Sequence, residues 1–387
     1  MSAYNYIIAG AGAAGLQLAY LMSLDSFFNE KKILIIESTQ KNKNDRTWCF
    51  WEKEKGIFED ILFKTWKSAL FASKTYTNSV DLSPYKYKML RGIDVYEFVL
   101  PQLQKHPSFE IVYEKVENIQ DDKSKVIVTT TTKQYKAAKV FSSIFNPEPM
   151  LTQKKHPVLQ QHFIGWFVKT THPIFNPEEV TFMDFTVPQL GNTRFMYVLP
   201  YSETEALVEY TLFSEKLLPK KEYETAIETY LKEKQAGDFE ITDTEIGSVP
   251  MTTFNFTEAN TNNFIGIGTA GGWTKASTGY TFKNTQEKSL ELINYLKEEK
   301  PLSDFNKPDR FTFYDGILLD ILQRKNYLGA YIFSKLFKRN KAENIFKFLE
   351  NKTNLFEEIR IMASVADIHF TMAFFRYLLG AFKRKEH

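Results

Sequence analysis

Residues 4–37 read YNYIIAGAGAAGLQLAYLMSLDSFFNEKKILIIE, and the order of patterns within them decides the fold. The apolar run Tyr4–Ala9 leads into G-A-G-A-A-G at 10–15, a helical pattern follows in LQLAYLM, and the strand-like ILIIE closes on Glu37. This is strand, glycine turn, helix, strand. Gly10 permits the tight turn, and Gly12, with Ala13 and Ala14 beside it, lets backbone N–H groups approach a pyrophosphate. Gly15 lets helix and strand pack closely. Glu37 lies 22 residues beyond Gly15, where a carboxylate can accept from a ribose 2′-hydroxyl. An acid there opposes an NADP 2′-phosphate, which leaves FAD or NAD; a glycine turn that binds nothing is the alternative.

A second glycine cluster, NFIGIGTAGGW at 263–273, continues through Ser277-Thr278-Gly279-Tyr280 to a helix beginning near Thr281. In two-part flavoproteins such a late strand and helix N-terminus closes over the ribityl chain and flavin ring. Two clusters about 255 residues apart suit FAD, an extended molecule, better than a single NAD site. Gly268, Gly271, Gly272, Thr278 and Gly279 become candidate contacts. Lys275 and the helix dipole are candidates for stabilising a reduced, anionic flavin. A glycine-rich connecting loop is the plainer reading.

Between the clusters, Ile111–Val116, Lys125–Thr132 and Ala138–Ser142 read as strands, with a helix before them over Tyr96–Lys105. Residues 160–215 then become short aromatic and β-branched runs punctuated by Pro and Gly, the pattern of an antiparallel sheet. A helix over Pro219–Ala236 and a strand at 241–250 follow, and beyond Pro301 the pattern is helical. The expected architecture is α/β: a Rossmann-like FAD-binding domain of the glutathione-reductase/hydroxylase type (1–150 and 251–300), an inserted antiparallel-sheet substrate domain (151–250) and a helical C-terminal region (301–387).

Composition narrows the function. Among 387 residues, 43% hydrophobic and 25% charged, there is no long uncharged apolar run, so neither an integral membrane protein nor a disordered chain is expected. Phe alone counts 34, more than the 17 Gly and 14 Pro together, which makes an apolar ligand plausible. The single cysteine, Cys49, excludes an intramolecular disulfide, and the histidines lack zinc-like spacing, so no metal is expected. No export signal is legible at the start, which suggests a cytoplasmic protein. Net charge is +2, and residues 301–387 carry +5 of it against −3 before them. Neither this balance nor any recognisable module supports nucleic-acid binding.

Period two over Ala206–Phe213 places Glu209 on one face with Leu207, Thr211 and Phe213. A carboxyl in that company loses hydration of its anion and is held protonated, ready to donate. Asp184, in TFMDF, shares a face with Phe182 by the same count, so two acids are expected to enter one aromatic space. A solvated or edge-strand carboxylate is the alternative for each. The segment DRTWCFW (45–51) either covers a flavin and lines a cation pocket or forms a small aromatic core. Arg91 is a candidate pyrophosphate contact. Residues 321–342 interleave Arg324, Lys325, Lys335, Lys338, Arg339 and Lys341 with aromatic and aliphatic side chains at helical period, and MAFFRYLLGAFKRK (372–385) repeats the theme. Such faces suit an anionic bilayer surface, or a core helix with an ordinary solvated side.

The chain resembles the bacterial FAD-containing lycopene β-cyclases of carotenoid synthesis. The resemblance rests on GAGAAG (10–15), DRTWCFW (45–51), QHFIGWFV (161–168), TFMDF (181–185), RFMYVLPYSETEALVEYT (194–211), GTAGGWTKASTGYTF (268–282) and FKFLENKT (346–353). It implies that Glu209 protonates lycopene and that Asp184 assists. It also implies that the protein uses reduced FAD with NADPH or NADH as reductant, and works at the inner face of the cytoplasmic membrane, other carotenoid enzymes being possible partners. Plant-like members carry two adjacent acids where this chain has Glu209-Tyr210, and many relatives carry His-Pro where it has Lys275-Ala276. An FAD-dependent monooxygenase or reductase of an apolar substrate is the nearest rival, and a non-catalytic flavin- or carotenoid-binding protein the next.

Overall fold

The computed structural model describes residues 3–379. Strand β1 (Ala3–Ala9) enters the glycine turn, α1 (Ala13–Ser23) leaves it, and β2 (Ile33–Glu37) returns beside β1. The chain then departs through β3 (Thr47–Glu52), β4 (Lys64–Trp66), β5 (Ser68–Ala72), β6 (Thr77–Asp81) and β7 (Lys86–Arg91). It comes back by α2 (Gly92–Lys105) to β8 (Phe109–Tyr113), β9 (Val116–Asp121), β10 (Val126–Thr130) and β11 (Gln134–Ser142). After α3 (Glu148–Thr152) come β12 (Val158–Thr170), β13 (Glu179–Asp184), β14 (Thr193–Pro200), β15 (Glu205–Ser214), α4 (Lys220–Glu233) and β16 (Phe239–Thr252). The final elements are β17 (Phe264–Gly266), α5 (Phe282–Lys297), α6 (Arg310–Arg324), α7 (Gly329–Arg339), α8 (Ala342–Leu349), α9 (Leu355–Val365) and α10 (Ile368–Leu378).

The first sheet runs β8-β2-β1-β11 in parallel, with β17 parallel to the end of β11 and the antiparallel β10 and β9 continuing from its beginning. ILIIE is buried throughout because helices cover one face and β9–β10 and their neighbours the other, as a parallel sheet requires. Gly10 has φ +96°, and a side chain there would collide with Ser143 at the end of β11, so the turn that brings β1 into α1 needs glycine twice over.

The second sheet has the order β16-β12-β15-β14-β13-β5-β6. Its core lies within the expected segment, but β5 and β6 join from residues 68–81, β5 parallel to β13. Local pattern cannot announce this, because a short strand does not name its partner. One face of the sheet packs on α4, where Trp166, Val198, Val208 and Leu212 meet Ile227 and Leu231. The opposite face is roofed by the C-terminal helices: Phe71, Phe185, Phe195 and Phe213 pack against Leu319, Leu322 and Phe333.

Several cations of the C-terminal region also serve this packing. Arg324 and Arg376 converge on Asp320, which is 1% exposed. Lys335 and Arg339 donate to the carbonyls of Ala366 and Ser364 at the end of α9, where a helix dipole favours positive charge. Of the two readings given for 321–342, these contacts fit a core-facing helix with a solvated side, and Ile332 and Phe333 between those cations are buried. Residues 380–385 of the second basic stretch lie outside the described residues.

Candidate active site

The first and second glycine clusters meet. Gly268 has φ +60°, and a side chain on it would sit 2.6 Å from Ala14 Cβ, so the loop after β17 rests directly on the first turn of α1. Gly12 caps α1 without any side-chain hydrogen bond, and a side chain on it would meet nothing within 4 Å. The helix N-terminus therefore opens onto free space with its N–H groups available. Glu37 accepts from Ala11 N–H at 2.6 Å and from Ser38 N–H at 2.8 Å, which fixes the turn from below.

That free space is one end of a cavity of about 1150 Å³. From Gly12, Ala13 and Ala14 it passes Thr278, Gly279 and Tyr280, follows the helix-roofed face of the second sheet past Glu209 and Thr211, and reaches Ile359, Phe374 and Phe375 on α9 and α10. Small-molecule pockets usually span roughly 300–1000 Å³. This one is larger, and most of its wall is aromatic or aliphatic.

Period two on β15 holds as the sequence implies: Val208, Tyr210 and Leu212 face α4, while Glu209, Thr211 and Phe213 line the cavity. Glu209 is 6% exposed and has no hydrogen bond or ion pair among the described residues. Burial pushes its carboxyl well above the ordinary 4.5, and the neighbouring negative charge of Glu245 pushes it further. Around it stand phenols: Tyr197 lies opposite on β14, the Tyr87 and Tyr197 hydroxyls are 2.6 Å apart, and Tyr87 and Tyr280 are 3.2 Å apart. Residues 45–51 divide between both readings offered for them. Thr47, Cys49 and Trp51 line the cavity, with Trp51 stacked on Phe346 at 4.7 Å, whereas Phe50 stacks on Phe282 at 5.1 Å in the nucleotide-domain core.

A family profile described as lycopene cyclase protein matches residues 5–378. The chain belongs to the lycopene cyclase family. Among curated proteins, none matches in sequence. Solved structures that resemble this lycopene cyclase family member include a flavoprotein/dehydrogenase from Cytophaga hutchinsonii, with 14% identity, TM-score 0.62, and coverage of 97% of this chain and 99% of that one. A geranylgeranyl bacteriochlorophyll reductase-like protein from Thermoplasma acidophilum gives 12%, 0.60, and 96% and 98%. The flavin-dependent monooxygenase PieE, solved with FAD and substrate, gives 12%, 0.60, and 96% and 72%. These likenesses establish the fold: the α/β architecture of FAD-dependent oxidoreductases and hydroxylases, with a separate antiparallel sheet and C-terminal helices.

Not every residue singled out from the family motifs reaches the cavity. Asp184 does not. The pairing of β13 shifts by one residue between Thr181 and Asp184 against both β14 and β5, and this bulge turns Asp184 to the α4 side while Phe182 and Met183 stay on the cavity wall. There Asp184 accepts from Tyr230 at 3.0 Å and from Thr186 N–H at 3.0 Å. Arg91 is held in a bidentate pair by Asp94 at 2.7 Å and lies over the Phe63 ring, off the cavity wall. Gly271 and Gly272 border a smaller polar pocket of about 380 Å³ instead.

Lys275 also turns away. It is 4% exposed, pairs with Asp315 at 3.0 Å, donates to Asn351 at 2.7 Å, and lies over the Phe311 ring, tying the glycine loop to α6 and the segment after α8. Lys275→Met is expected to destabilise the protein by about 3–5 kcal/mol in urea unfolding, because it strands a buried acid. Replacing both partners by apolar residues is expected to restore most of that loss; equal destabilisation by the double variant would refute the pair's role.

The sequence reading missed Glu245 and Gly165. A signal for Glu245 existed in TEIGSV on β16, where period two puts Glu245, Gly247 and Val249 on one face, all three of which line the cavity. Among the described residues, no group of three or more His, Cys, Asp or Glu is placed to hold a metal ion.

Proposed function

We propose that this family member is a lycopene β-cyclase that binds FAD across the two glycine loops and closes ψ end groups of lycopene, or a related acyclic carotenoid, to β-ionone rings. The observation that carries the reading is Glu209: a buried carboxyl without a partner, pushed well above the ordinary carboxyl range by burial, on the wall of an aromatic cavity that begins at the nucleotide loop. An ordinary carboxyl in water is ionised at neutral pH and is a poor acid towards an alkene.

The site fits the cofactor. Gly12 leaves room for a pyrophosphate at an uncapped helix N-terminus, Gly268 lets the second loop close on Ala14, and Glu37 at the end of β2 is the residue that would accept from a ribose. Thr278 and Gly279 on the cavity wall are candidate contacts nearer the ring. When bound and reduced, with NADPH or NADH as the electron source, the flavin supplies an electron-rich ring that favours positive charge beside it. Glu209 then gives its proton to the terminal double bond, the adjacent alkene closes on the resulting cation to form one carbon–carbon bond, and a ring proton leaves. One proton enters and one departs, so product and substrate are isomers. Trp51, Tyr280 and Phe346 line the cavity, and an aromatic ring facing the transient cation would be worth about 0.5–2 kcal/mol when desolvated.

The far end of the cavity supports delivery of an insoluble polyene. Ile359, Phe374 and Phe375 line it and are also exposed on the surface, beside Phe356 at 76% and Leu379 at 79%. Among the described residues, no helix is long and apolar enough to cross a membrane. Peripheral contact through α9 and α10 with a bilayer, at the inner face of the cytoplasmic membrane, is therefore part of the proposal. Expression in cells that accumulate lycopene, with pigments resolved by chromatography and mass, tests it. A product isobaric with lycopene and carrying one or two rings is expected, formed with only catalytic reductant. A hydroxylated or hydrogenated product, or unchanged lycopene, would overturn the reading.

A further inference from the structure

We propose that Glu245 is a positioning residue that keeps the reactive proton on Glu209 by holding a second carboxylate beside it across Gly165. The inference rests on Glu209 being the proton donor. Gly165 on β12 pairs with Glu209 on β15 and with Glu245 on β16, so the two acids flank one glycine on the same face of the sheet. Strands two apart are roughly 10 Å from one another, a span that a side chain at the middle position normally fills. Here none does. A methyl group at 165 would lie 2.6 Å from Glu209 Cγ and 3.3 Å from its Oε1, so the Glu209 side chain leans over the glycine. Both acids line the cavity, and both are nine-tenths buried or more, at 6% and 8% exposure.

Their surroundings differ in the respect that decides which keeps the proton. Burial pushes the Glu245 carboxyl up as well, but its Oε1 accepts from Thr47 N–H at 3.0 Å and the Arg46 charge favours its anion, so part of that cost is offset. Glu209 has no donor. Two neighbouring carboxyls in a dry site do not both ionise readily, so the proton stays on the one that nothing compensates. The other groups facing the pair do not alter this. Cys49 on β3, Tyr87 on β7, Tyr197 on β14, Tyr201 after it and Tyr280 are all pushed up by burial and stay neutral. Asp45 adds negative charge near Glu245, Arg91 is paired with Asp94, and Asp315 on α6, also on the cavity wall, is paired with Lys275.

The test is an infrared titration of the protonated-carboxyl band in the full-length protein without substrate, comparing wild type with Glu209→Gln, Glu245→Gln and Glu245→Ala. A band present at neutral pH and missing in Glu209→Gln is expected. Glu245→Gln keeps an acceptor for Thr47 N–H yet removes the charge, and should move the midpoint of that band down by about one pH unit, a tenfold change in ionisation constant. The alkaline limb of cyclisation should move with it. An unmoved midpoint in Glu245→Gln, or a shift confined to Glu245→Ala, would show a purely structural residue and overturn the proposal. If wild type yields no cyclic product, the lycopene reading fails while the infrared comparison still decides the carboxyl pair; if product forms and the midpoint is fixed, the pair alone fails.

Discussion

Glu209→Gln is expected to lower cyclisation by about a thousandfold or more while the protein stays folded and binds flavin. General acids contribute roughly 10²–10⁴ to rate, and here the amide offers no proton acidic enough for an alkene. Gln matches Glu in volume, and the position lacks hydrogen bonds to lose. Stability should move the opposite way. The carboxyl is raised above its ordinary 4.5 in the folded chain, so the folded state holds a proton that the unfolded state has released. Its contribution is intact below that value and is lost as pH rises towards the folded value, at about 1.4 kcal/mol per pH unit. Gln does not titrate, so the variant should gain on wild type in urea unfolding as the medium goes from mildly acidic to mildly alkaline. Normal pigment formation by Glu209→Gln would remove the acid assignment, and a stability gap independent of pH would contradict the buried, protonated state.

The second large effect is expected at the glycine turn, where neighbouring positions should fail in different ways. A methyl group at Gly12 meets nothing within 4 Å, so Gly12→Val should leave the fold intact while filling the space through which backbone N–H groups approach a pyrophosphate. Purified Gly12→Val should carry less than about a tenth of the wild-type flavin by absorbance, with a melting curve close to that of wild-type apoprotein. A methyl group at Gly15 instead falls inside contact distance of the Gly10 carbonyl, where α1 crosses β1. Backbone cannot move aside as a flexible side chain does, so Gly15→Ala should lose stability by about 1–3 kcal/mol even without cofactor. Wild-type flavin content in Gly12→Val would refute FAD binding at this loop.

The family motifs and strand periods singled out Glu209, which the structure places on the cavity wall, and their failures elsewhere have particular causes. Glu209 lies where alternation along β15 puts it, because that strand pairs without interruption on both sides. Asp184 fails by the same rule, since one extra residue in β13 reverses every later side chain. Lys275 and Arg91 looked like cofactor contacts because they stand next to glycine-loop and helix-start signals. Their partners, Asp315 and Asp94, draw them elsewhere, and the first of these lies 40 residues away on another element. Glu245 was readable in principle, but its importance depends on a glycine on the strand between it and Glu209, which no single segment reveals.

Local pattern alone accounts for the nucleotide-binding unit, because a glycine turn, an apolar helical run and a terminal acid are constraints among residues close along the chain. It likewise determined which face of β15 carries its acid. Only the tertiary structure decided that the two glycine loops touch, that β5 and β6 complete the second sheet, and that a second carboxyl stands across Gly165 from the first. Those are contacts between segments distant in sequence, set by sheet register and by how helices close over a face, and neither register nor closure is written in any local pattern.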